Sequence, residues 1–450
     1  MAASNVSWSS RTTFIFAAIG SAVGLGNIWK FPYEAGEGGG GAFVLIYILF
    51  VFAIGVPVMI AELMLGRRGQ HSPPKSMEIV AREEGRSQLW QVIGWSGVIG
   101  AFFVLSFYSV IAGWTLFYVY QAATGALNDI TAIGSGAMFN ALLSSPVLMT
   151  IMHGLFMAIT VFVVGRGVKG GLEVAVTWLM PVLFVLLIVL VIFSLQTGDA
   201  GEAISFLFSP DFSKLTANTI LQALGQAFFS LSVGLGAMLA YGSYVPKDVS
   251  LPRSAVIIAS ADTGVAILSG LAIFPIVFAF GLQVGSGPGL IFETLPVAFA
   301  QMPFGSVFGA AFFILLSIAA LTSSISLLEP MVAWLEEHKG IARAKSAVVG
   351  GGLCFLVGIL TVFSFSNGPA VTVLGKTPFD HIDFLTNNWV MPLGGLLIAV
   401  FAGWLMARKT TVEEVDRSEG AIYRVWHFMV RYLCPVALSL IFLQFAFKVF

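Results

Sequence analysis

The chain has 450 residues, 58% of them hydrophobic and only 10% charged, with a formal net charge of −1. Water-soluble chains carry roughly 25% charged residues, so most of this surface must face lipid, and the absence of a basic stripe removes the case for nucleic acid as a partner. Two cysteines far apart in apolar runs, Cys354 and Cys434, indicate neither a disulfide framework nor a paired-ligand zinc site.

Apolar runs of about 20 residues or more, enough to cross roughly 30 Å of hydrocarbon, recur from end to end. They lie at about 12–36, 41–66, 89–124, 147–164, 172–196, 218–245, 253–283, 304–335, 347–366, 384–407 and 426–447, which predicts eleven spans. Every backbone polar group must be bonded within such a segment, and no period-two alternation suggests a barrel. The expected fold is an all-α polytopic membrane protein, one membrane domain over 1–450 with no separate soluble domain. The first span follows a polar head with the single Arg11 and has no small-residue cleavage site, so it should stay in place.

Five basic residues, Lys30, Lys214, Lys376, Arg431 and Lys448, lie apart from the others, which cluster in the N-terminal head and near 67–86, 166–169, 247–253, 339–345 and 408–424. Positive-inside asymmetry makes those clusters cytoplasmic. The expected placement is the plasma membrane, with the N-terminus cytoplasmic and the C-terminal Phe450 extracellular. The connection at 284–303, with Gly285, Gly287, Pro288, Gly289 and Pro296 around an apolar run, fits a re-entrant or capping segment and a plain surface loop equally well.

Val-Gly-Leu-Gly occurs twice, at Val23–Gly26 and Val233–Gly236, inside the first and sixth spans. Matching glycine-interrupted spans in two halves point to an inverted repeat and a midplane site. The halves would be 11–196 (spans 1–5) and 218–407 (spans 6–10), with span 11 at 426–447. Glycine costs about 1 kcal/mol in a helix interior relative to alanine, so two in four residues invite unwinding. Glycines in membrane helices also permit close packing; their recurrence at matching places favours the break. Irregular backbone is tolerated at membrane depth where it faces protein or a wet cavity. There freed carbonyls bind a cation and half-helix N-termini an anion, which suits a substrate carrying both ammonium and carboxylate.

The stretch Gly20-Ser21-Ala22-Val23-Gly24-Leu25-Gly26-Asn27-Ile28-Trp29-Lys30-Phe31-Pro32-Tyr33 resembles the first-helix signature of the neurotransmitter:sodium symporter family. The similarity continues through Gly38–Gly41, Ser230–Gly236, Leu321-Thr322-Ser323-Ser324 and Asp383-Phe384, and so covers nearly the whole chain. It is strongest to the bacterial amino-acid members, including the multi-hydrophobic amino-acid transporter type with eleven helices; the family's usual twelfth helix is absent. The resemblance implies a leucine-transporter-type fold and sodium-coupled import by alternating access, broken helices 1 and 6 rocking against a scaffold.

Ala319, Thr322 and Ser323, spaced i, i+3, i+4, set one carbonyl and two hydroxyls on one helix face. Alone, such hydroxyls commonly bond back one turn. With the carbonyls of Gly20 and Val23 the set resembles the family's second sodium site. The first site, by the same resemblance, uses the Ala22 carbonyl, Asn27, Ser230 and the residue aligned in span 7, Asp262. Many members carry a neutral asparagine there. A carboxylate in a span is costly and usually functional, and beside Na⁺ it would stay ionised, implying no chloride requirement; capping a helix or meeting a water is the plainer role. Two sodium ions and no other cofactor are expected.

The resemblance further assigns the substrate carboxylate to the Tyr108 hydroxyl and the N–H groups of Leu25 and Gly26. The ammonium falls to the carbonyls of Ala22 and Phe229 and the Ser232 hydroxyl, with Ser230 and Ser323 alongside. Gly24 stands where monoamine carriers have Asp, so the substrate should be a free α-amino acid. Val104, Phe229, Leu235 and Leu327 resemble an apolar side-chain subsite, implying neutral hydrophobic or aromatic L-amino acids; packing alone would also explain any one of them. Leu235 replaces the Phe of some relatives and so suits a larger substrate.

Lys30 and Asp383 match the family's extracellular gate pair, and Trp8 and Glu337 parts of a cytoplasmic latch whose usual arginine is here Asn5. Glu62 matches a glutamate bridging the two broken segments. Gly171 and Pro181 bracket the start of span 5, where either unwinding or a simple proline kink fits. No obligate protein partner is evident. Two other readings are a sodium-independent exchanger of the same fold and an enzyme built on Gly94-Trp95-Ser96-Gly97, which resembles the rhomboid-protease tetrad, with His153 as base; the latter leaves the duplicated breaks unexplained.

Overall fold

The computed structural model describes residues 7–281, 287–366, 372–416 and 419–447; Asn5, Gly285 and Phe450 lie outside them. The membrane segments are α1 (Arg11–Ala22 and Gly26–Glu37), α2 (Gly41–Gly69), α3 (Gln88–Ala123), α4 (Pro146–Gly165), α5 (Val168–Thr197), α6 (Ala217–Ser230 and Ala237–Ser243), α7 (Leu251–Ala279), α8 (Gly305–Lys339), α9 (Arg343–Phe365), α10 (Pro378–Leu405) and α11 (Ala421–Leu443). Among the described residues, nine are unbroken and long and apolar enough to cross a membrane, and the halves of α1, bent by 51°, pass together. The halves of α6 are each too short to cross alone; counted as one segment they complete the expected eleven. No strand occurs among the described residues, only an isolated bridge between Val373 and Lys376.

Local chemistry sets the ends. The Ser10 hydroxyl accepts from the Thr13 N–H at 3.1 Å and closes a capping box that starts α1, and Thr377 with Asp380 does the same for α10. Burial orders the helices around the site. The most apolar window of α3 is 78% buried and that of α8 72%, against 28% for α11; α3 and α8 form the centre, while α11 shows most of its surface to lipid. α8 also packs on α1, α4, α5 and α9, which makes it the spine of the bundle.

The two Val-Gly-Leu-Gly copies interrupt their helices for different reasons. In α6 the chain between Ser230 and Ala237 leaves the helix through left-handed conformations, with φ of +53° at Ser232, +83° at Gly234 and +71° at Gly236, so glycine answers a backbone requirement. In α1 the requirement is space. A Cβ on Gly24 would stand 2.6 Å from Ser323 Oγ and 2.8 Å from the Tyr108 hydroxyl.

The connection before α8 is a packed cap. Leu290–Ala300 is helical, with Leu290, Ile291, Phe292 and Leu295 buried, and Tyr118 donates to the Phe292 carbonyl at 2.6 Å. α5 differs from the unwound expectation: it is helical from Val168 to Thr197 with Pro181 inside, opening on a wide π-type turn over Val168–Leu172. Gly171 is explained by close approach, since a Cβ there would fall 2.0 Å from the Val163 carbonyl of α4.

Candidate functional site

The breaks of α1 and α6 face α2, α3, α7 and α8, and three groups of predicted residues meet there. In the first, Asp262 is fully buried in the interior of α7, well away from either helix end, which removes the capping role. Its Oδ1 accepts from Asn27 Nδ2 at 2.7 Å, its Oδ2 accepts from Ser230 Oγ and, at 3.3 Å, from the Tyr47 hydroxyl, and its carbonyl accepts from Asn27 at 3.1 Å. Asn27 Oδ1 meanwhile holds the Gly24 N–H at 3.0 Å, fixing the break of α1. All partners are neutral donors. A buried carboxylate held only by neutral groups carries a desolvation cost that a small cation offsets, and a hard cation takes such oxygens, so the residues fit Na⁺. Tyr47 was missed by the motif comparison; its signal was a tyrosine in an apolar run, whose hydroxyl needs a partner when buried.

The second group lies one step along α1. Ser323 Oγ donates toward the carbonyls of Val23 at 3.1 Å and Gly20 at 3.3 Å, and Thr322 Oγ1 bonds back to Ala319 and Ile318 at 3.1 and 3.2 Å. A Cβ on Gly20 would stand 3.0 Å from that of Thr322. The Ser323 hydroxyl and the carbonyls of Gly20 and Val23 therefore meet, with α1 and α8 in backbone-close contact, while the Thr322 hydroxyl stays bonded back along α8. Among the described residues no cluster of three His, Cys, Asp or Glu side chains exists; a cation here would rely on neutral oxygens.

The third group encloses a cavity of about 20 Å³ lined by Ala22, Gly24, Gly26, Val104, Tyr108, Phe229, Ser232, Leu235, Ser323 and Leu327. Two predicted substrate residues sit elsewhere. Ser230 turns its hydroxyl into the Asp262 cluster, because the helix is still wound there and its next turn faces α7. Leu25 lines a neighbouring vestibule of about 160 Å³ with Trp29, Lys30, Tyr33, Ile111, Gly287 and Asp383. Gly26, Tyr108 and Phe229 border both spaces. The Leu25 N–H donates to the Tyr108 hydroxyl at 3.2 Å, so a backbone donor and a phenol meet at the edge of both spaces.

The predicted outer gate residues share one space without closing into a pair. Lys30 and Asp383 line the vestibule together, but no ion pair joins them within 4 Å: the Lys30 ammonium sits 4.5 Å from the Phe229 ring centre, and Asp383 takes the Asn387 side-chain N–H at 2.6 Å. A flexible ammonium settles on a π face while a neighbour one turn along satisfies the carboxylate.

On the opposite face Trp8 and Glu337 do not meet. Trp8 is buried, donates from its indole to the Tyr241 carbonyl at 3.1 Å and packs edge-on against the Tyr241 ring. Glu337 accepts from the backbone and hydroxyl of Ser72 at 2.9 and 2.5 Å. One buried ion pair on this face is among those the sequence comparison missed. Glu329 of α8 pairs with Arg343 of α9 at 2.5 Å, takes the Tyr244 hydroxyl at 2.8 Å, and Arg343 reaches the Val164 carbonyl of α4 at 3.1 Å. Its signal was an acid inside an apolar run. Glu62 accepts from Gly234 N–H at 3.0 Å and Leu239 N–H at 3.4 Å; it spans the break of α6 rather than joining α6 to α1.

Nothing supports the enzyme alternative. Ser96 bonds back to the Ile93 carbonyl at 2.9 Å, whereas the His153 ring lies beside the Ser106 carbonyl, ten residues and so about 15 Å further along α3, and its Nε2 meets the Phe355 carbonyl at 3.1 Å.

Two broken helices meeting at a buried, oxygen-lined centre within an eleven-segment bundle define a multi-span membrane transporter. The family model described as the sodium:neurotransmitter symporter family matches residues 5–132 and 140–450, and the chain belongs to that family. It is 42% identical to the sodium-dependent transporter YhdH of Bacillus subtilis, covering 98% of this chain and 97% of that one. It is also 34% identical to a sodium-dependent transporter of Haemophilus influenzae, over 97% of each. The crystal structure of MhsT in complex with L-phenylalanine superposes with a TM-score of 0.91 at 44% identity, covering 97% of this chain and 99% of that one. The protein is thus a sodium-dependent transporter and not an enzyme.

Proposed function

We propose that this protein carries neutral hydrophobic or aromatic L-amino acids into the cell with Na⁺, at two sodium sites and without a chloride requirement. The observation that carries the reading is Asp262: its buried carboxylate, met only by neutral donors from α1, α2 and α6, supplies the negative charge that a bound cation needs. Ala22, Asn27, Ser230 and Asp262 would hold one Na⁺, and Gly20, Val23, Ala319, Thr322 and Ser323 the other. The crowding around Gly24 leaves no room for a protein carboxylate there, so the substrate must bring its own. Its side chain would lie against Val104, Phe229, Leu235 and Leu327, which line the cavity without a charged group; the match to MhsT with bound L-phenylalanine supports this class.

Residues 11–196 and 218–407 would form the two inverted repeats, in a plasma membrane with the N-terminus cytoplasmic and the C-terminus outside. Each 100 mV then contributes about 2.3 kcal/mol per inward charge. Equilibrium binding of labelled leucine and tryptophan tests the reading: binding should require Na⁺, fail in K⁺ and be indifferent to chloride. Undiminished binding in K⁺ would instead favour a sodium-independent exchanger.

A further inference from the structure

The cavity between the two breaks has room for little more than a water molecule, about 20 Å³, so the side chain of a hydrophobic amino acid enters only if a wall retreats. Val104 and Leu327 stand on the long continuous helices α3 and α8, and Phe229 stands on the last wound turn of the first half of α6. Leu235 has the freer backbone. It lies on the non-helical stretch of α6, between two glycines with positive φ, and its side chain points from that stretch toward α3 and α10.

What stands behind Leu235 then decides how far it moves. A Cβ on Gly100 of α3 would lie 3.0 Å from Leu235 Cδ2 and 2.8 Å from Val390 Cγ1 of α10. Leu235, Gly100 and Val390 therefore converge at one point behind the cavity. The backbone on either side is closely packed. A Cβ on Gly97 would fall 2.8 Å from the Gly236 Cα, and one on Gly394 2.8 Å from the Gly234 carbonyl, so α3 and α10 hold the stretch by main-chain contact at both ends. The depth behind Leu235 is the recess that Gly100 leaves and Val390 closes.

We infer that Val390, which does not line the cavity, is a positioning residue for substrate size: with Gly100 it limits the retreat of Leu235 and so sets the largest amino-acid side chain the transporter accepts. This rests on the amino-acid reading above. Val390→Ala removes the backstop and deepens the recess; Gly100→Ala fills it. In the double variant the added methyl occupies the space that the valine vacates, so the two changes offset each other.

The test is competition of valine, leucine, phenylalanine and tryptophan against labelled leucine on the purified full chain in Na⁺. One methylene in an apolar pocket is worth about 10-fold or more in discrimination. The tryptophan-to-valine affinity ratio should rise about tenfold in Val390→Ala, fall by a similar factor in Gly100→Ala and return near wild type in the double variant, with the Na⁺ half-saturation unchanged throughout. A ratio within twofold of wild type in both single variants overturns the inference, as does a double variant no closer to wild type than Gly100→Ala. Wild-type protein that binds none of the four in Na⁺ overturns the amino-acid reading itself, and this inference with it.

Discussion

Asp262→Asn keeps the size and hydrogen-bonding shape of the side chain and removes its charge. The structure makes the consequence calculable in outline. Asp262 is fully buried, and its Oδ1 and carbonyl share Asn27 with Ser230 close by, so a cation in the cluster would lie within about 4 Å of the carboxylate. At that separation, in an effective dielectric of about 20, the attraction is about 4 kcal/mol. The asparagine carbonyl retains part of it as a dipole, leaving a loss of about 2–3 kcal/mol, or roughly 30- to 150-fold in Na⁺ affinity at about 1.4 kcal/mol per decade. The assay is a Na⁺ titration of labelled leucine binding, run once in chloride and once in gluconate. The variant should need far more Na⁺ in gluconate, and chloride should recover part of the loss because a mobile anion then replaces the fixed one. Na⁺ half-saturation within threefold of wild type in gluconate would refute the reasoning.

Other substitutions probe separate parts of the account. Gly24→Ala drives a methyl to 2.6 Å from Ser323 Oγ, and overpacking of about 1–3 kcal/mol should weaken leucine binding about 5- to 150-fold in the same binding assay. Ser323→Ala removes a hydroxyl from the neutral-oxygen set and should raise the Na⁺ half-saturation about tenfold, as expected for about 1–2 kcal/mol from one polar contact; this is read from Na⁺ titrations at fixed leucine. Arg343→Met leaves the fully buried Glu329 carboxylate without its cation, a loss of about 3–5 kcal/mol visible in thermal or denaturant unfolding, whereas Glu329→Gln leaves Arg343 its second, more exposed partner Glu336 at 3.4 Å and should cost less. The double variant removes both charges and should be more stable than Arg343→Met alone.

What could be read from the sequence was whatever acts locally or through one repeated pattern. Glycine pairs announce a helix break because their cost is paid in their own backbone, and both breaks lie at Val23–Gly26 and Val233–Gly236. The i, i+3, i+4 spacing of Ala319, Thr322 and Ser323 likewise fixes a shared helix face without reference to the rest of the fold. Partnerships between distant side chains were less legible. Lys30 and Asp383 reach the same vestibule, yet rotamers and neighbours send one to Phe229 and the other to Asn387. Tyr47 joins Asp262 across 215 positions and Arg343 meets Glu329 across a helix turn-around; packing alone brings them together. The two glycine pairs also hid a distinction, left-handed backbone in α6 against lack of space in α1, that only neighbouring atoms reveal.

Uptake of labelled leucine into proteoliposomes holding the purified chain tests the central claim of sodium-coupled amino-acid transport. With Na⁺ outside, K⁺ inside and gluconate throughout, leucine should accumulate above its external concentration and leak back when the Na⁺ gradient is dissipated. Equal uptake with K⁺ on both sides, stimulated by preloaded unlabelled leucine, would contradict sodium coupling and make the protein an exchanger.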